Sequence, residues 1–511
     1  MPAPADNTPV IIAVGQASER PRDGGYRALS PMDLAGQALA AAIADAKARG
    51  NLADAIDTLC SIRQFENSTP RSVPPFGMAD NPPRAIARRV GANPARAILE
   101  VTGGQGPQAM LGELARQIAE GRCDCAAIVG AEAMSSVLTL LETGETPDWS
   151  ETVGGSLEDR GYAIDDMFER ALVKHGAGAP IPAYAMFDNA RRARLGQTLE
   201  EYRHAIGTLF APFTQVAAAN PHAAAPVQRS VEELARVTDR NRIVAEPYTR
   251  MTVARDKVNQ AAAIVLASVA QARALGVPEK RWVYVHAATT GKELPVLARP
   301  DLARSPASIA SVEAALEIAG KSIAQIDAID FYSCFAIPVF NQLDHFGLAV
   351  DDPRGFTLTG GLPFFGAAGN DYSAHAIAEA VQRARSAPGS FALVGANGGV
   401  MSKYATGIYS TMPAEWNGRG RTRALSQAVD RVPVARDFAG QAMVETYTLM
   451  PGRGGDIAVV IGRNDAGERV IANADLGHGA TRASIESGEP FGARMMIRQV
   501  APEQFAARIA V

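Results

Sequence analysis

The stretches SPMDLAGQALAAAIADA, residues 30–46, and SPASIASVEAALEIAG, residues 305–320, decide the fold. Each opens on Ser-Pro and continues with apolar residues at helical spacing. A serine in that place can cap the first free N–H groups, and proline suits the first helical position. Working outward, each predicted helix leads to a strand, AIDTLCSI from Ala55 and QIDAIDFYSCF from Gln325. Each strand leads to a glycine-containing loop and a second helix: TGGQGPQAMLGELARQIAEG from Thr102 and GAAGNDYSAHAIAEAVQRA from Gly366. Two further strands follow, AAIVGAEAM from Ala126 and FALVGANGGVM from Phe391, both carrying Val-Gly-Ala. The offset between the copies drifts only from 275 (Ser30 to Ser305) to 265 (Val129 to Val394). The chain therefore holds two similar α/β halves. Their uninterrupted apolar strands predict a mostly parallel, buried sheet.

The first half closes with AAAIVLASVA from Ala261, and a helical and irregular insertion fills the space after Met134. Beyond Met412 the pattern turns to short segments: QAMVETYTLM, GDIAVVIGRND, ERVIANAD, TRASIESG and FGARMMIRQV. These predict five strands in a small barrel of oligonucleotide-binding type, with a hairpin turn at Asn464-Asp465-Ala466-Gly467. The expected division is 1–135 plus 256–275 for the first half and 136–255 for the insertion. The second half takes 276–412, a polar, Arg-rich surface linker 413–436, and the β-domain 437–511. That last domain is expected to be removable near Asp437.

A chain of 511 residues exceeds one ordinary core, which accords with several domains. Charged residues at 20% and a net charge of -4 make no electrostatic case for nucleic acid. The start, MPAPADNTPVIIAVG, lacks a basic segment followed by a long apolar run, and no apolar window is long enough for a membrane span. Cys60, Cys123, Cys125 and Cys334 form neither a disulfide nor a zinc framework, so a reducing, cytoplasmic setting and no metal are expected. Cys123-x-Cys125 opens a strand with no His or Cys pair nearby. The run Gly104-Gln105-Gly106-Pro107-Gln108-Ala109 fits a dinucleotide-binding pattern but lies too far along its half; a tight turn into a helix accounts for it. Free N–H groups at that helix start could still hold a carbonyl or carboxylate.

Two related halves with a long insertion resemble the thiolase superfamily. IPAYAMFDNARRARLGQTLEEYRHAIGTLFAPFTQVAAANP from Ile181, and NRIVAEPYTRM from Asn241 running into VNQAAAIVLAS, resemble the insertion of sterol-carrier-protein-type thiolases. FYSCF from Phe331 is similar to that branch's His-Asp-Cys-Phe loop. GGLPFFGAAGNDYSAH from Gly360 and GANGGVMSKYATGIYS from Gly395 resemble its two remaining active-site loops. With the C-terminal β-domain, the chain most resembles the thiolase-like proteins of type 1. The resemblance implies the thiolase fold, two βαβαβαββ halves in α/β/α/β/α layers, with an inserted loop domain.

The departures bear most on function. The resemblance places Gly103 where thiolases carry the nucleophilic Cys, Tyr332 where a His or Asn holds a catalytic water, Gly366-Ala367-Ala368 in place of Gly-His-Pro, and Gly395 in place of the second Cys. Gly104, Ala367, Gly398 and Cys334 lie in the same loops. Tyr332 is either a core aromatic or a group beside the thioester. His375 either points inward as a base or packs. Asn370 and Asn397 either donate to a carbonyl oxygen or hold their own turns. Tyr372 and Lys403 are further candidates. Arg191, Arg192 and Arg194 form a helix-face cluster that is either solvated or, because the thiolase insertion grips the CoA nucleotide, a phosphate contact.

The implied function is binding of CoA or acyl-CoA thioesters, with CoA as ligand or substrate and no other cofactor, by a monomer or homodimer. Any chemistry must run without an acyl-cysteine, as in an aldol or retro-aldol reaction on a β-hydroxyacyl-CoA in lipid or sterol metabolism. Some thiolase-fold aldolases work with a partner carrying an oligonucleotide-binding-type domain. The alternatives are a non-catalytic acyl-CoA carrier or sensor, and an acetyl-CoA acetyltransferase whose nucleophile is Cys60 or Cys334.

Overall fold

Ser30 caps as its position predicts: its hydroxyl accepts the Asp33 N–H, and the helix Pro31–Asp45 follows. Ser305 does not. Its hydroxyl bonds to Tyr404 and Glu293, and the Glu293 carboxylate accepts the Ala307 N–H in its stead. An anion at a helix start is favoured by the exposed N–H groups and the helix dipole, so the second helix is capped from outside its own sequence. The structure is a computed structural model and describes residues 4–510 except 165–168, 417, 427–429 and 453.

Eleven of the described strands join in one sheet, ten along its path and one beside it. The first half contributes Arg96–Leu99, Thr58–Ser61, Cys125–Ala133, Asn259–Ser268 and Pro9–Ser18. The second contributes Val283–Lys292, Lys403–Ser410, Phe391–Gly398 and Ala328–Asp330. The halves meet where Val10 and Ile11 pair with Tyr284 and Val283. The expectation of a mostly parallel sheet is corrected. The outer strands of each half run parallel, but Asn259–Ser268 pairs antiparallel with both neighbours, and Lys403–Ser410 does the same. A strand covered on both faces reads as an apolar run whichever way it points, so the sequence carried burial and not direction.

The helices Gly106–Ala119 and Tyr372–Ser386 touch strands of both halves, while Pro31–Asp45 and Pro306–Ala319 cover the outer faces. This gives the five α/β/α/β/α layers. The edge strand Arg96–Leu99 is covered by the chain itself, since Ile98 and Leu99 pair with Glu158 and Asp159 of the insertion. Arg160 fastens that cover, reaching Glu113 at 2.7 Å, Glu158 at 2.9 Å and Glu100 at 3.1 Å. Covering an edge removes a template for strand pairing with another chain.

The C-terminal strands Gly440–Met450, Ile457–Asn464, Arg469–Ala474, Arg494–Ala501 and Gln504–Ile509 close a barrel. The turn at Asn464–Gly467 forms as expected, with Gly467 at φ +79°. TRASIESG is no strand: Gly479–Glu486 is a helix that buries Thr481 and Ile485, four residues apart and so on one face. The fifth strand is instead Gln504–Ile509, beyond the segments singled out from sequence.

Two further expectations change. Residues 413–436 are no plain linker, because Thr422–Leu425 adds a parallel strand beside Val283–Lys292. The barrel is also fastened deeply. Asn189 donates to the Tyr447 carbonyl, Thr446 to the Met186 carbonyl, and Arg469 to the carbonyls of Leu297 and Arg299. Among the described residues no helix is long and apolar enough to cross a membrane.

Candidate functional site

Four loops converge where the two halves face each other. The Gly103 N–H donates to Asn370 Oδ1 at 2.9 Å, and the Ser373 hydroxyl donates to the Gly104 carbonyl at 2.8 Å. The Asn397 amide reaches Cys334 Sγ at 3.8 Å. The centre is closed to a nucleophile. Gly103 lies at φ +137°, a conformation L side chains rarely adopt, and a Cβ there would lie 3.0 Å from Gln105 Cδ. At Gly104 a Cβ would lie 2.7 Å from Tyr332 Cζ and 2.6 Å from the Asn397 carbonyl oxygen. At Gly398 it would meet Gln105 Cδ at 3.1 Å and Gly103 Cα at 3.2 Å. The Gln105 carboxamide and the Tyr332 phenol together fill the space in front of Gly103 and Gly104. Gly395 has more room, its nearest neighbour being Phe331 Cδ1 at 3.5 Å.

Tyr332 sits at the centre, but burial pushes its pKa up and the nearby Cys334 adds to the shift. A phenol held neutral is not a base, so the proton-accepting role is withdrawn. Asn370 is spent on the loops: Oδ1 accepts from Gly103, while Nδ2 donates to the Arg63 carbonyl at 2.7 Å and the Ser68 hydroxyl at 3.0 Å. His375 has other partners. Its Nδ1 meets Gln16 Oε1 at 2.6 Å, its ring packs edge-on to Phe365, and burial drives its pKa well down. Because Gln16 turns its NH2 to Glu379, Nδ1 carries the proton and Nε2 is left as a buried acceptor with no partner. Ala367 is half-buried and joins the third loop to the insertion, its N–H donating to the Arg255 carbonyl. The Tyr372 hydroxyl bonds to Thr359, and Lys403 Nζ reaches the carbonyls of Thr102 and Ala163.

The four thiols are buried. Burial pushes Cys334 and Cys123 up to about 12, and raises Cys60 and Cys125 well above the usual thiol value. None is poised as a thiolate, which weighs against Cys60 or Cys334 as a nucleophile. Among the described residues no group of three or more His, Cys, Asp or Glu could hold a metal ion.

A small cavity of about 20 Å³ remains beside Tyr332, bounded by Gly395, Asn397, Tyr404 and Gln342. That is room for about one water-sized group, since a single water takes roughly 10–15 Å³ on this measure.

The arginine cluster is corrected. Arg191 grips Asp344 through Nε at 2.8 Å and Nη2 at 2.7 Å, and Arg194 reaches the same carboxylate at 2.7 Å. Arg192 is fully buried among Glu489, the Gly488 and Gln197 carbonyls, and Asn189. The helix Pro180–Leu195 is sandwiched between the second half and the barrel, so its guanidiniums must find partners inside the protein. A different cationic group borders the third loop. The Arg255 N–H donates to the Leu362 carbonyl, and burial together with Arg250 and Arg229 lowers the Arg255 pKa.

Two residues that shape the site escaped the sequence reading. Gln105 stood inside the quoted TGGQG loop, but nothing local tells that its side chain folds back over Gly103. Tyr184, which holds Asn397 at 2.8 Å, lies in a helix whose periodicity reports only burial.

No family model and no curated protein matches the chain. Among solved structures it is similar to a monomeric SCP2-thiolase like protein type 1 from Mycobacterium smegmatis. Identity is 39% over 99% of this chain and 100% of that one, with a TM-score of 0.84. It is also similar to an Ltp2-ChsH2(DUF35) aldolase, with 20% identity over 78% of this chain and 97% of that one and a TM-score of 0.55. A third is an acetyl-CoA acetyltransferase from Syntrophomonas wolfei, with 16% identity over 80% and 100% and a TM-score of 0.56. The last two likenesses show the fold alone.

Proposed function

The chain belongs to the family of the SCP2-thiolase-like proteins of type 1, within the thiolase superfamily, and from that premise we propose that it binds CoA or acyl-CoA thioesters without forming an acyl-enzyme. The observation that carries the reading is the closure of the nucleophile's place by Tyr332 and Gln105 over Gly103 and Gly104. Acyl transfer needs a thiolate and a base beside it. Here the position is glycine, the neighbouring thiols are held protonated, and the third loop offers Ala367 and Ala368 where a base would stand. Non-covalent aldol chemistry loses its support as well. Tyr332 is held neutral, Asn370 is fully engaged, and His375 faces Gln16. The carrier or sensor reading is therefore the one this geometry favours.

Arg250 and Arg229 beside the buried Arg255 support an anionic ligand next to the third loop, with Asp256 and Glu233, which pairs with Arg229 at 3.1 Å, offsetting part of their charge. Like charges held together raise one another's cost, and an anion between them relieves it. In calorimetry, CoA should bind saturably and more weakly as salt rises. Arg255→Ala should weaken binding by about tenfold, the worth of one charge-assisted contact. No binding at millimolar CoA overturns the reading.

A further inference from the structure

Two of the polar side chains that bound the cavity beside Tyr332 leave a carbonyl oxygen unpaired. Asn397 and Gln342 both bound it, both are at most 3% exposed, and each keeps a buried side-chain carbonyl oxygen without a partner. The orientation of Asn397 is not arbitrary. The Tyr184 hydroxyl donates to the Gly399 carbonyl at 2.9 Å and accepts the Met401 N–H at 3.1 Å. It can therefore only accept again, so the Asn397 group 2.8 Å away must be the NH2. Asn397 Oδ1 is forced to be the free end. Gln342 turns its own NH2 to the Ser308 hydroxyl, which leaves Oε1 without a partner; Ser308 can also donate, so the fixed acceptor of the cavity is Asn397 Oδ1.

Resting on the CoA-ester reading, we propose that this cavity recognises a hydroxyl on the acyl chain, so that the ligand class is a hydroxyacyl-CoA held without cleavage. A thioester carbonyl brings only lone pairs and would meet Asn397 Oδ1 and Gln342 Oε1 as repulsion. A hydroxyl brings a proton to one of them. No charged side chain bounds the cavity, so a neutral donor fits and an ammonium group finds no counter-charge. The space admits about one such group. It begins one tyrosine ring from Gly104; with the thioester seated at that loop, as the CoA-ester reading has it, the hydroxyl falls a short way along the chain, as in a 3-hydroxyacyl group. An acyl chain lacking the hydroxyl leaves the buried acceptors unpaired, and sites of that kind reject the analogue.

The test compares 3-hydroxybutyryl-CoA with butyryl-CoA by calorimetry on the full chain. The hydroxy ester should bind at least tenfold more tightly. Gln342→Met and Asn397→Leu should each bring the ratio of the two affinities close to one. Asn397 also anchors Tyr184, so Gln342→Met carries the test if the Asn397 variant does not fold. Equal affinities in the wild type, or a preference that survives Gln342→Met, overturn the inference and leave CoA-ester binding standing. Failure of both esters to bind at millimolar concentration overturns that reading and this inference together. A crystal soaked with the hydroxy ester that holds only a water in the cavity also overturns it.

Discussion

The phenol ring of Tyr332 rests on the α-carbon of Gly104, so closely that a Cβ at that position would lie 2.7 Å from Tyr332 Cζ. The residues are 228 positions apart and belong to different halves. Their contact means that the loss of the nucleophile is not a single substitution. The space has been filled from the opposite loop, and restoring a thiol does not restore a site.

Gly103→Cys should therefore remain inactive. Acetoacetyl-CoA with CoA should give no acetyl-CoA above background, and intact-mass analysis no acyl adduct. The backbone at φ +137° disfavours any side chain, so the variant should lose about 1–3 kcal/mol of stability. A stoichiometric adduct on the new thiol would refute the closure.

Removal of the Tyr332 hydroxyl should cost little. Burial above all, with a smaller contribution from the neighbouring Cys334, raises its pKa, and no hydrogen bond contributes. Tyr332→Phe should stay within about 1 kcal/mol of wild type in denaturant unfolding. Tyr332→Ala should cost about 3–5 kcal/mol, because it empties the filled centre. A large loss in the Phe variant would reveal a partner for the hydroxyl.

Glu132 should make the protein less stable as pH rises. Its carboxyl is fully buried, and desolvation lifts its pKa from 4.5 to about 8, while the N–H groups of Phe65 and Asn370 pull the other way. The folded state then holds a proton that the unfolded state gives up. Stability is full below the unfolded pKa and falls as pH climbs toward 8, with a limiting slope of about 1.4 kcal/mol per pH unit. Glu132→Gln keeps an acceptor for Phe65 and should flatten that part of the profile. An unchanged slope in the variant would show that Glu132 is not the group responsible.

Arg160 should govern the sheet edge. It joins Glu100, which is 6% exposed, to Glu113 and Glu158. Arg160→Met leaves a buried carboxylate unpaired and should cost about 3 kcal/mol. With the cover loosened, the exposed edge should add dimer or aggregate in sedimentation. A variant as stable and as monodisperse as wild type would assign the cover to other contacts.

Truncation near Asp437 should not leave a well-behaved core. It strips Arg192 of Glu489 and the Gly488 carbonyl, and Asn189 of the Tyr447 carbonyl. A buried guanidinium and amide would lose partners, so the shortened chain should aggregate or lose its cooperative unfolding. A soluble product with native far-UV signal would contradict the docking described.

The sequence by itself determined the plan of two related halves, the insertion, a closing β-domain, and the absence of a cysteine from the first and fourth loops. Those features are written locally, in apolar spacing, in Ser-Pro starts and in the identity of single loop residues. Tertiary structure alone decided the rest. Thr481 and Ile485 became one face of a helix where alternation had suggested a strand, because a buried face there was available to a helix. Arg191 and Arg192 turned inward because their helix is covered on both sides, which no single-helix pattern reveals. Asn370 meets Gly103 across 267 residues, and Asn397 takes its orientation from Tyr184 across 213. A side chain's direction and hydrogen-bonding sense are set by whichever groups packing brings beside it, and those groups come from distant parts of the chain.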